Sequence, residues 1–215
     1  MTTANSNAYF AQVADQWDEI RAGYFTEHTR DAAIAKAQLP ENAVVADVGT
    51  GTGFVAHGLA QRAAHVIGFD ASPDMLAVAQ RNLSNLNNVE FREAAGDQLP
   101  VPDGTFDGVF ANMFLHHAPD PAKTIKELAR TLKPGGVICI TDLDTHDHEW
   151  QREQMADLWL GFERDDIRSW YADAGLSNID VDCAEGTCNA CGPSGAIEPL
   201  SIFVAIGNGA KLTLT

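Results

Sequence analysis

Apolar side chains recur along the chain with two different periods. Residues 5–38 carry them three and four positions apart, which predicts helices that end before Pro40. From residue 43 onward, short β-branched runs alternate with segments of helical period. These runs predict buried strands at 43–49, 65–70, 89–94, 106–112 and 136–142.

Capping residues and turn formers mark the ends of the helices between these strands. Ser72 can cap the helix after the second strand, and Pro73 suits its first turn. Asp120 and Pro121 open the helix before the fifth strand, and the turn "KPGG" ends it. Strands that alternate with helices in this way pair in parallel, with helices on both faces of the sheet.

The alternation of single strands with single helices ends after residue 142. The segments "QREQMADLWLGF" and "RDDIRSWYADAGL" predict two helices. The segments "NIDVDCAE" and "LSIFVAIG" then predict two strands that flank a loop rich in Cys and Gly. The predicted fold class is therefore α/β: a doubly wound, mostly parallel seven-stranded sheet with an antiparallel final strand and helices on both faces.

Composition narrows the classes of function. The formal net charge is −16, from 30 acidic against 14 basic residues, and no basic cluster offsets it. Such a surface repels phosphate backbones and anionic lipids, so we expect no nucleic-acid partner. No apolar run is long enough to cross a bilayer, and residues 1–10 lack the pattern of a signal peptide. We therefore expect a cytoplasmic protein without a membrane span, and a homodimer stays open.

The segment "DVGTGTGF", residues 47–54, follows the first predicted strand and has glycine at alternate positions. Glycine has no Cβ, so a ligand can approach the backbone closely. Gly51, Gly53 and Ala56 fit the dinucleotide pattern G-x-G-x-x-A, and Asp70 follows at the expected distance of ~20 residues. The turn alone is compatible with a dinucleotide phosphate, a nucleoside-type cofactor or a purely structural role.

Three later segments separate these alternatives. "VIGFDASPDMLAVAQRN", "LPVPDGTFDGVFANMFLHH" and "PAKTIKELARTLKPGGVICITD" follow "VVADVGTGTGF" in order over residues 43–142. Together the four segments resemble the motifs of class I S-adenosylmethionine-dependent methyltransferases, in particular the small-molecule groups of ubiquinone biosynthesis and of arsenite methylation. The resemblance implies a Rossmann-like methyltransferase fold in one domain, 1–215. It divides into a helical lid at 1–40, a cofactor-binding core at 41–142, and substrate-side helices with the final strand pair at 143–215.

The resemblance also implies S-adenosylmethionine as the cofactor. Asp47 would orient the ammonium group of the cofactor, and Asp70 would bind its ribose hydroxyls. Relatives often have an acid for the adenine amino group where this chain has Ala95, so the adenine contacts depart from the family pattern. The implied cofactor-binding residues are Asp47, Gly49, Gly51, Gly53, Asp70, Ala71, Met75, Ala95, Gly96 and Asn112.

A sulfonium cofactor carries an activated methyl group, so the protein mainly supplies position and a shielded pocket. A base is needed only where the acceptor must lose a proton. The candidate catalytic residues are His116 and His117, after the fourth predicted strand, and Tyr24 in the predicted lid. The "HDHE" run at 146–149 is more typical of a solvated turn than of a metal site, so no resident metal ion is predicted.

Three cysteines, Cys183, Cys188 and Cys191, lie within nine residues as C-x4-C-x2-C. Three thiolates can hold a soft trigonal ion. Arsenite methyltransferases resemble this chain in the cofactor domain, but some of their cysteines lie in the amino-terminal half, where this chain has none.

The predicted function is methyl transfer from S-adenosylmethionine to a small-molecule acceptor by in-line displacement. The alternatives are methylation of a thiolate-bound metalloid or heavy metal such as arsenite, a non-catalytic cofactor-binding regulator, and an NAD-dependent oxidoreductase.

Overall fold

Seven strands form one sheet, mostly of parallel pairs. They are β1 (Val44–Val48), β2 (His65–Asp70), β3 (Val89–Glu93), β4 (Phe106–Asn112), β5 (Leu132–Leu143), β6 (Ser177–Cys191) and β7 (Ile197–Asn208), in the order β3-β2-β1-β4-β5-β7-β6. The first five strands pair in parallel, whereas β7 runs antiparallel to both of its neighbours. The predicted fold class is confirmed.

The computed structural model describes residues 3–22, 25–191 and 197–210, leaving out the side chains at 3–5, 7, 185–191 and 197–198. Its helices are α1 (Thr3–Val13), α2 (Trp17–Ala22), α3 (Glu27–Lys36), α4 (Phe54–Ala60), α5 (Pro73–Asn82), α6 (Pro121–Thr131), α7 (Trp150–Gln154) and α8 (Arg164–Asp173). Short 3₁₀ turns cover Ala14–Gln16 and Leu115–His117. Among these residues, no helix is both long and apolar enough to span a membrane.

The predicted caps are confirmed at two helices. The Ser72 hydroxyl accepts a hydrogen bond from the Met75 amide (3.3 Å), and the Asp120 carboxylate accepts one from the Lys123 amide (3.0 Å). These caps satisfy amides that the first turn of a helix leaves without partners. They also fix where α5 and α6 begin, close to the carboxyl ends of β2 and β4.

Alternation along the strands builds a core on each face of the sheet. In β1, Val45 packs in the cluster that covers α3 and α4, whereas Ala46 packs in the cluster on the opposite face with α6 and α8. Because helices cover both faces, the strand interiors are almost entirely apolar and buried. The polar side chains that could contact a ligand therefore lie at the strand ends.

The helices α1 and α2 lie across the carboxyl ends of the parallel strands. Ala14 packs with Met75 and Val78 of α5 in a small apolar cluster. The Asp18 carboxylate accepts hydrogen bonds from the Thr52 hydroxyl (2.7 Å) and from the side-chain amide of Asn82 (3.0 Å). These contacts tie the amino-terminal helices to the glycine turn. The three-part division at residues 40 and 142 stays a prediction, as does the homodimer.

Two predictions after residue 142 are wrong in extent. The predicted helix over 151–162 is only the five-residue α7, because Ala156 (φ +60°) and Gly161 (φ +71°) turn the chain out of helical conformation. The loop rich in Cys and Gly is largely strand, since β6 pairs with β7 as far as Cys191 opposite Ile197. The residues up to Cys191 form a strand because their backbone pairs with β7. Their composition, rich in Cys and Gly, does not indicate a strand.

Candidate cofactor and acceptor site

A cleft of about 420 Å³ lies beyond the carboxyl ends of β1, β2 and β4, under α1 and α2. The chain runs outward from β1 to β3 on one side and from β4 onward on the other, so strand order reverses between β1 and β4. Ligands of open α/β sheets bind at such a reversal. The sheet-side wall of the cleft consists of the glycine turn, the end of β2 and the segment 94–97.

The three glycines of the turn have positive φ, but they serve different purposes. A Cβ on Gly49 would lie 2.3 Å from Phe114 Cδ2, so this glycine allows close packing. A Cβ on Gly51 would meet, among the described residues, only Trp17 Nε1 within 4 Å, so the backbone there is open to the cleft. Gly53 is the N-cap of α4 and lies outside the cleft wall, where a Cβ would approach Leu83 Cδ1 to 2.8 Å. Gly53 therefore shapes the turn and packs against α5.

Asp47, at the end of β1, lines the cleft although only 1% of its surface is exposed. Its Oδ2 accepts hydrogen bonds from the Thr50 hydroxyl (2.7 Å) and the Ala56 amide (2.9 Å). Burial raises the pKa of Asp47 to about 7, against the opposing effect of these two hydrogen bonds. A cation bound in the cleft would favour the ionised carboxylate.

Asp70, at the end of β2, joins that strand to the glycine turn. Its Oδ2 accepts from the Gly51 amide (2.8 Å) and its Oδ1 accepts from the Ser72 amide (2.9 Å). Burial raises the pKa of Asp70 above its usual range, and the amide hydrogen bonds oppose that effect. A carboxylate has about four lone-pair sites, so each oxygen can still accept from a ligand hydroxyl.

The wall beside Asp70 is formed by small residues, one methionine and the ring of Phe114. Ala71, Met75, Ala95 and Gly96 all line the cleft, as predicted for cofactor-binding positions. A Cβ on Gly96 would lie 2.5 Å from Phe114 Cζ, so the Phe114 ring is held between Gly49 and Gly96.

Two polar residues on this side have partners within the fold. Asn112 lines the cleft, and its Oδ1 accepts a hydrogen bond from the Thr141 hydroxyl (2.6 Å). Asp97 also lines the cleft, and its carboxylate pairs with Lys123 Nζ at 2.7 Å. Asp97, two residues after the Ala95 position where relatives often have an acid, is thus already engaged in an ion pair.

The opposite wall comes from the amino-terminal helices and is aromatic. Phe10, Trp17 and Phe25 line it together with Phe54 of α4. The Phe10 ring is perpendicular to the rings of Trp17 and His117, with centroids 5.2 and 5.0 Å away. We define the lid wall as these four aromatic residues of the cleft together with the other cleft-lining residues of α1 and α2: Phe10, Trp17, Phe25, Phe54, Ser6 and Arg21.

One cation stands in the lid wall. The Arg21 guanidinium lies 3.7 Å from the centroid of the Phe54 ring, and its buried Nε forms an ion pair with Asp18 Oδ1 at 3.5 Å, without hydrogen-bond geometry. Burial lowers the pKa of Arg21, although the nearby Asp18 raises it. The lid wall thus combines apolar rings with one positive group.

His117 lines the cleft, whereas His116 is buried behind it. His116 Nδ1 lies 2.6 Å from Asp142 Oδ1, and His116 Nε2 lies 3.7 Å from Asp157 Oδ1. Burial lowers the pKa of His116, but the two carboxylates outweigh it and raise the pKa to about 9. Burial and the neighbouring His116 lower the pKa of His117 well below its usual value.

Among the remaining candidate residues, the described side chains of His146 and Cys183 do not line the cleft. Tyr24 lies outside the described residues. His146 is half-buried, and burial together with His148 lowers its pKa to about 4. Cys183 is exposed and its Sγ lies 3.2 Å from Arg164 Nη2, away from the cleft wall. Cys188 and Cys191 lie in β6, and their side chains are not described.

Several residues around the cleft were not identified from the sequence: Phe10, Arg21, Phe114, Asp142 and Asp157. Asp142 had a signal, because it ends the fifth predicted strand on the cofactor side of the sheet. Asp157 had none, since it lies 40 residues beyond His117 in a segment that the sequence predicted as helix.

The chain is similar to known proteins over much of its length. Residues 46–140 match the family model described as a methyltransferase domain. The chain is 33% identical over 166 residues to 2-methyl-6-phytyl-1,4-hydroquinone methyltransferase 1, chloroplastic, of Oryza sativa subsp. japonica. This alignment covers 75% of this chain and 50% of that protein. It is 34% identical over 144 residues to demethylmenaquinone methyltransferase of Clavibacter sepedonicus, covering 62% and 59%. The chain thus spans about half the length of the curated relatives it matches.

A solved structure of a SAM-dependent methyltransferase from Aquifex aeolicus has a TM-score of 0.68 with 22% identity, covering 92% of this chain and 97% of that chain. At that identity the likeness concerns the fold. The family match, the four ordered motifs and the sheet order agree. Residues 46–140 are therefore similar to a methyltransferase domain, and the fold of the chain is similar to that of a solved methyltransferase.

Proposed function

We propose that the protein transfers a methyl group from S-adenosylmethionine to a small, largely apolar acceptor. One observation supports this most strongly: a single cleft has a wall of glycine backbone and buried carboxylates facing a wall of aromatic rings. The first wall suits a nucleoside joined to an amino acid, and the second suits an apolar molecule.

The sheet-side wall fits the cofactor on features of this chain. Gly51 has no Cβ to narrow the cleft, and a Cβ there would point toward Trp17 Nε1, 3.7 Å away on the opposite wall. Asp70 would accept hydrogen bonds from the ribose hydroxyls while it holds the Gly51 amide. The buried Asp47 carboxylate would bind the ammonium group, directly or through water. When bound, the cofactor supplies a sulfonium methyl group that is already activated for displacement.

The lid wall would bind the acceptor. Phe10, Trp17 and Phe54 offer ring faces to an apolar group, and the Arg21 guanidinium offers donors to one oxygen or anionic group. The two relatives described above are named for 2-methyl-6-phytyl-1,4-hydroquinone and for demethylmenaquinone, which are apolar ring compounds with oxygen substituents. We infer an acceptor of that chemical kind.

The chain's own contribution to the reaction would be positioning and exclusion of water. The sheet-side wall fixes the donor, and the lid wall holds the acceptor in line with it, which lowers the entropic part of the barrier. His117, one of the three candidate catalytic residues, lines the cleft, and its role as proton acceptor stays a prediction.

The other candidate functions have less support. No described cysteine lines the cleft: Cys139 is buried and its pKa is raised by burial to about 12, and Cys183 lies on the exposed edge strand. Methylation of a thiolate-bound metalloid, a cofactor-binding regulator and an NAD-dependent enzyme each stay testable alternatives.

Calorimetry with S-adenosylhomocysteine and with NAD tests the cofactor assignment. We expect the nucleoside product to bind and NAD to bind far more weakly or not at all. Asp70→Asn should weaken binding of the nucleoside about 100-fold, because a charge-assisted hydrogen bond to a hydroxyl contributes about 1.5–3 kcal/mol. Asp74→Asn, the same change at an exposed position of α5, is the control and should leave binding unchanged. Tight binding of NAD alone would refute the proposal.

Turnover to S-adenosylhomocysteine tests the acceptor. We would compare a short-chain prenylated 1,4-hydroquinone with sodium arsenite, each with S-adenosylmethionine. Methylation of the hydroquinone supports the proposal. Turnover with arsenite that depends on Cys183, Cys188 and Cys191 would establish the metalloid alternative, and binding of the cofactor without turnover of any acceptor would favour a regulator.

A further inference from the structure

A buried polar cluster stands behind the lid wall, beside the cleft. It consists of His116 and His117, in the turn after β4, and Asp157, in the segment between α7 and α8. One ligand atom from each of the three side chains lies within 4.8 Å of the other two. The Asp157 Oδ1 atom is 3.7 Å from His116 Nε2 and 4.0 Å from His117 Nδ1.

Asp157 is a buried acceptor group without a donor. Only 1% of its surface is exposed, and neither carboxylate oxygen has a hydrogen-bond donor among the described residues. A buried carboxylate that lacks hydrogen bonds is costly and needs a compensating cation. The residue before it, Ala156, has φ +60°, a conformation that non-glycine residues avoid. The chain thus accepts backbone strain directly next to a buried carboxylate that has no hydrogen-bond donor, a combination typical of functional sites.

His116 is oriented as metal-ligating histidines usually are. Its Nδ1 lies 2.6 Å from Asp142 Oδ1. Asp142 Oδ2 accepts from the Leu115 amide (2.8 Å), so this carboxylate is fixed in turn. A carboxylate on one ring nitrogen sets the tautomer and leaves the other nitrogen as a ligand. Here that other nitrogen, Nε2, faces Asp157.

The backbone holds the two halves of the cluster together. The His116 carbonyl accepts hydrogen bonds from the amides of Leu158 (3.0 Å) and Trp159 (3.1 Å). The Trp159 indole donates to the Ala118 carbonyl at 2.9 Å. Asp157 therefore lies opposite the histidines because its own segment is fastened to their turn.

We propose that His116, His117 and Asp157 bind one divalent transition-metal ion of the zinc type. Two imidazoles and one carboxylate are a common ligand set for such ions, and they leave at least one coordination position open. Ligands at about 2.1 Å from a tetrahedral ion lie about 3.4 Å apart. The separations of 3.7 and 4.0 Å from Asp157 are 0.3 and 0.6 Å longer than this, and the separation between the two histidine nitrogens is within 4.8 Å. Metal binding would also replace the contact of His117 Nδ1 with the Ala156 carbonyl oxygen, at 3.3 Å.

The ion would lie at the wall of the cleft, since His117 lines it. It would link the turn after β4 to the segment between α7 and α8 and neutralise Asp157. In the metal-bound protein His117 is a ligand and does not act as a proton acceptor. The proposal goes beyond methyl transfer, because the metal site involves none of the residues assigned to the cofactor.

Metal binding to the whole chain tests the proposal. The protein is stripped with a chelator and dialysed against zinc chloride, and bound zinc is counted by mass spectrometry. We expect one tightly bound ion per chain, and at least a tenfold weaker affinity in Asp157→Asn. The matched control is His57→Asn, an exposed histidine on α4, which should bind as the unaltered chain does.

Cobalt chloride provides a second measurement that distinguishes the ligands. Four-coordinate cobalt with nitrogen and oxygen ligands gives visible d–d absorption without the charge-transfer bands of thiolates. We expect that spectrum in the unaltered chain and in a variant with Cys183, Cys188 and Cys191 replaced by serine. Binding that disappears in this serine variant would place the ion on the thiols and overturn the proposal.

Thermal unfolding covers the case in which Asp157→Asn changes the fold. Zinc should raise the Tm of the unaltered chain by mass action and should raise that of Asp157→Asn much less. If no ion binds to the unaltered chain, the proposal is wrong; a lower Tm for Asp157→Asn would then identify the cluster as an internal ion pair. Binding of S-adenosylhomocysteine in the same samples tests the proposed function separately.

Discussion

The two walls of the cleft differ in where along the chain their residues come from. The sheet-side wall takes Asp47, Gly51 and Asp70 from two consecutive strand ends and the turn between them. The lid wall and the cluster behind it bring together Phe10, His117 and Asp157, from three distant parts of the chain. The first wall consists of backbone and short acidic side chains, and the second consists of rings and imidazoles.

Under the proposed function, this difference separates the cofactor side of the cleft from the acceptor side. The sheet-side wall would need a turn of fixed shape, because backbone atoms would contact the cofactor. The lid wall makes its contacts through side chains on helices that are docked by a small apolar cluster and by Asp18. We therefore expect substitutions in the first wall to affect stability and cofactor binding strongly, and those in the second to affect acceptor binding selectively.

The largest effect should come from crowding the sheet-side wall. In Gly49→Ala the new methyl group would lie 2.3 Å from Phe114 Cδ2, and alanine would have to adopt φ +70°. We expect the free energy of unfolding to fall by about 2–4 kcal/mol, from overpacking and backbone strain together. Urea unfolding measures this change.

The variant Gly175→Ala separates the cost of backbone strain from the cost of overpacking. Gly175 has φ +79°, but a Cβ there would meet nothing within 4 Å among the described residues. It should therefore show only the backbone cost, about 1–2 kcal/mol. Equal losses in the two variants would mean that Phe114 yields easily and that the sheet-side wall is not tightly packed.

The next effect concerns pH and Asp47. Its pKa is raised to about 7, so between the unfolded value of 3.8 and pH 7 the native state holds a proton that the unfolded chain has lost. This contribution to stability is full at low pH and is lost as pH rises through that window, by at most about 1.4 kcal/mol per pH unit. Urea unfolding between pH 4.5 and 7.5 should show stability falling more steeply with pH in the unaltered chain than in Asp47→Asn, where Asp70 and Asp157, whose pKa values burial also raises, still contribute.

Cofactor affinity should have the opposite dependence on pH. The ammonium group of S-adenosylhomocysteine favours the ionised carboxylate, so binding should tighten about tenfold from about pH 5.5 to 7.5. Asp47→Asn should remove most of this dependence in calorimetry. A pH profile that is the same in both proteins would place the ammonium group elsewhere.

The smallest effect on the cofactor should come from the lid wall. Trp17→Leu removes an indole whose Nε1 stands 3.7 Å from the Cβ position of Gly51. We expect cofactor affinity to fall no more than about fivefold, or about 1 kcal/mol, and the KM for the acceptor to rise more than that. Trp170→Leu, at a ring that packs on Phe162 away from the cleft, should leave both constants unchanged. A larger loss for the cofactor than for the acceptor would reverse the assignment of the two walls.

The fold and the sheet-side wall were largely predictable because their signals are local. Strand and helix periods, the caps at Ser72 and Asp120, and the glycine turn each depend on neighbouring residues. Gly53 shows the limit of that reasoning. The motif counts it with the cofactor-binding glycines, but the structure uses it at the N-cap of α4 and against Leu83.

The sequence by itself determined the order of the elements, the parallel sheet and the strand ends at which Asp47 and Asp70 stand, because hydrophobic period and turn chemistry act over a few residues. Only the tertiary structure decided that Phe114 lies between Gly49 and Gly96, that β6 extends through the cysteines, and that Asp157 faces His116. These contacts join residues far apart in the chain. They form only when the sheet, the docked helices and the strained turn at Ala156 are in place together.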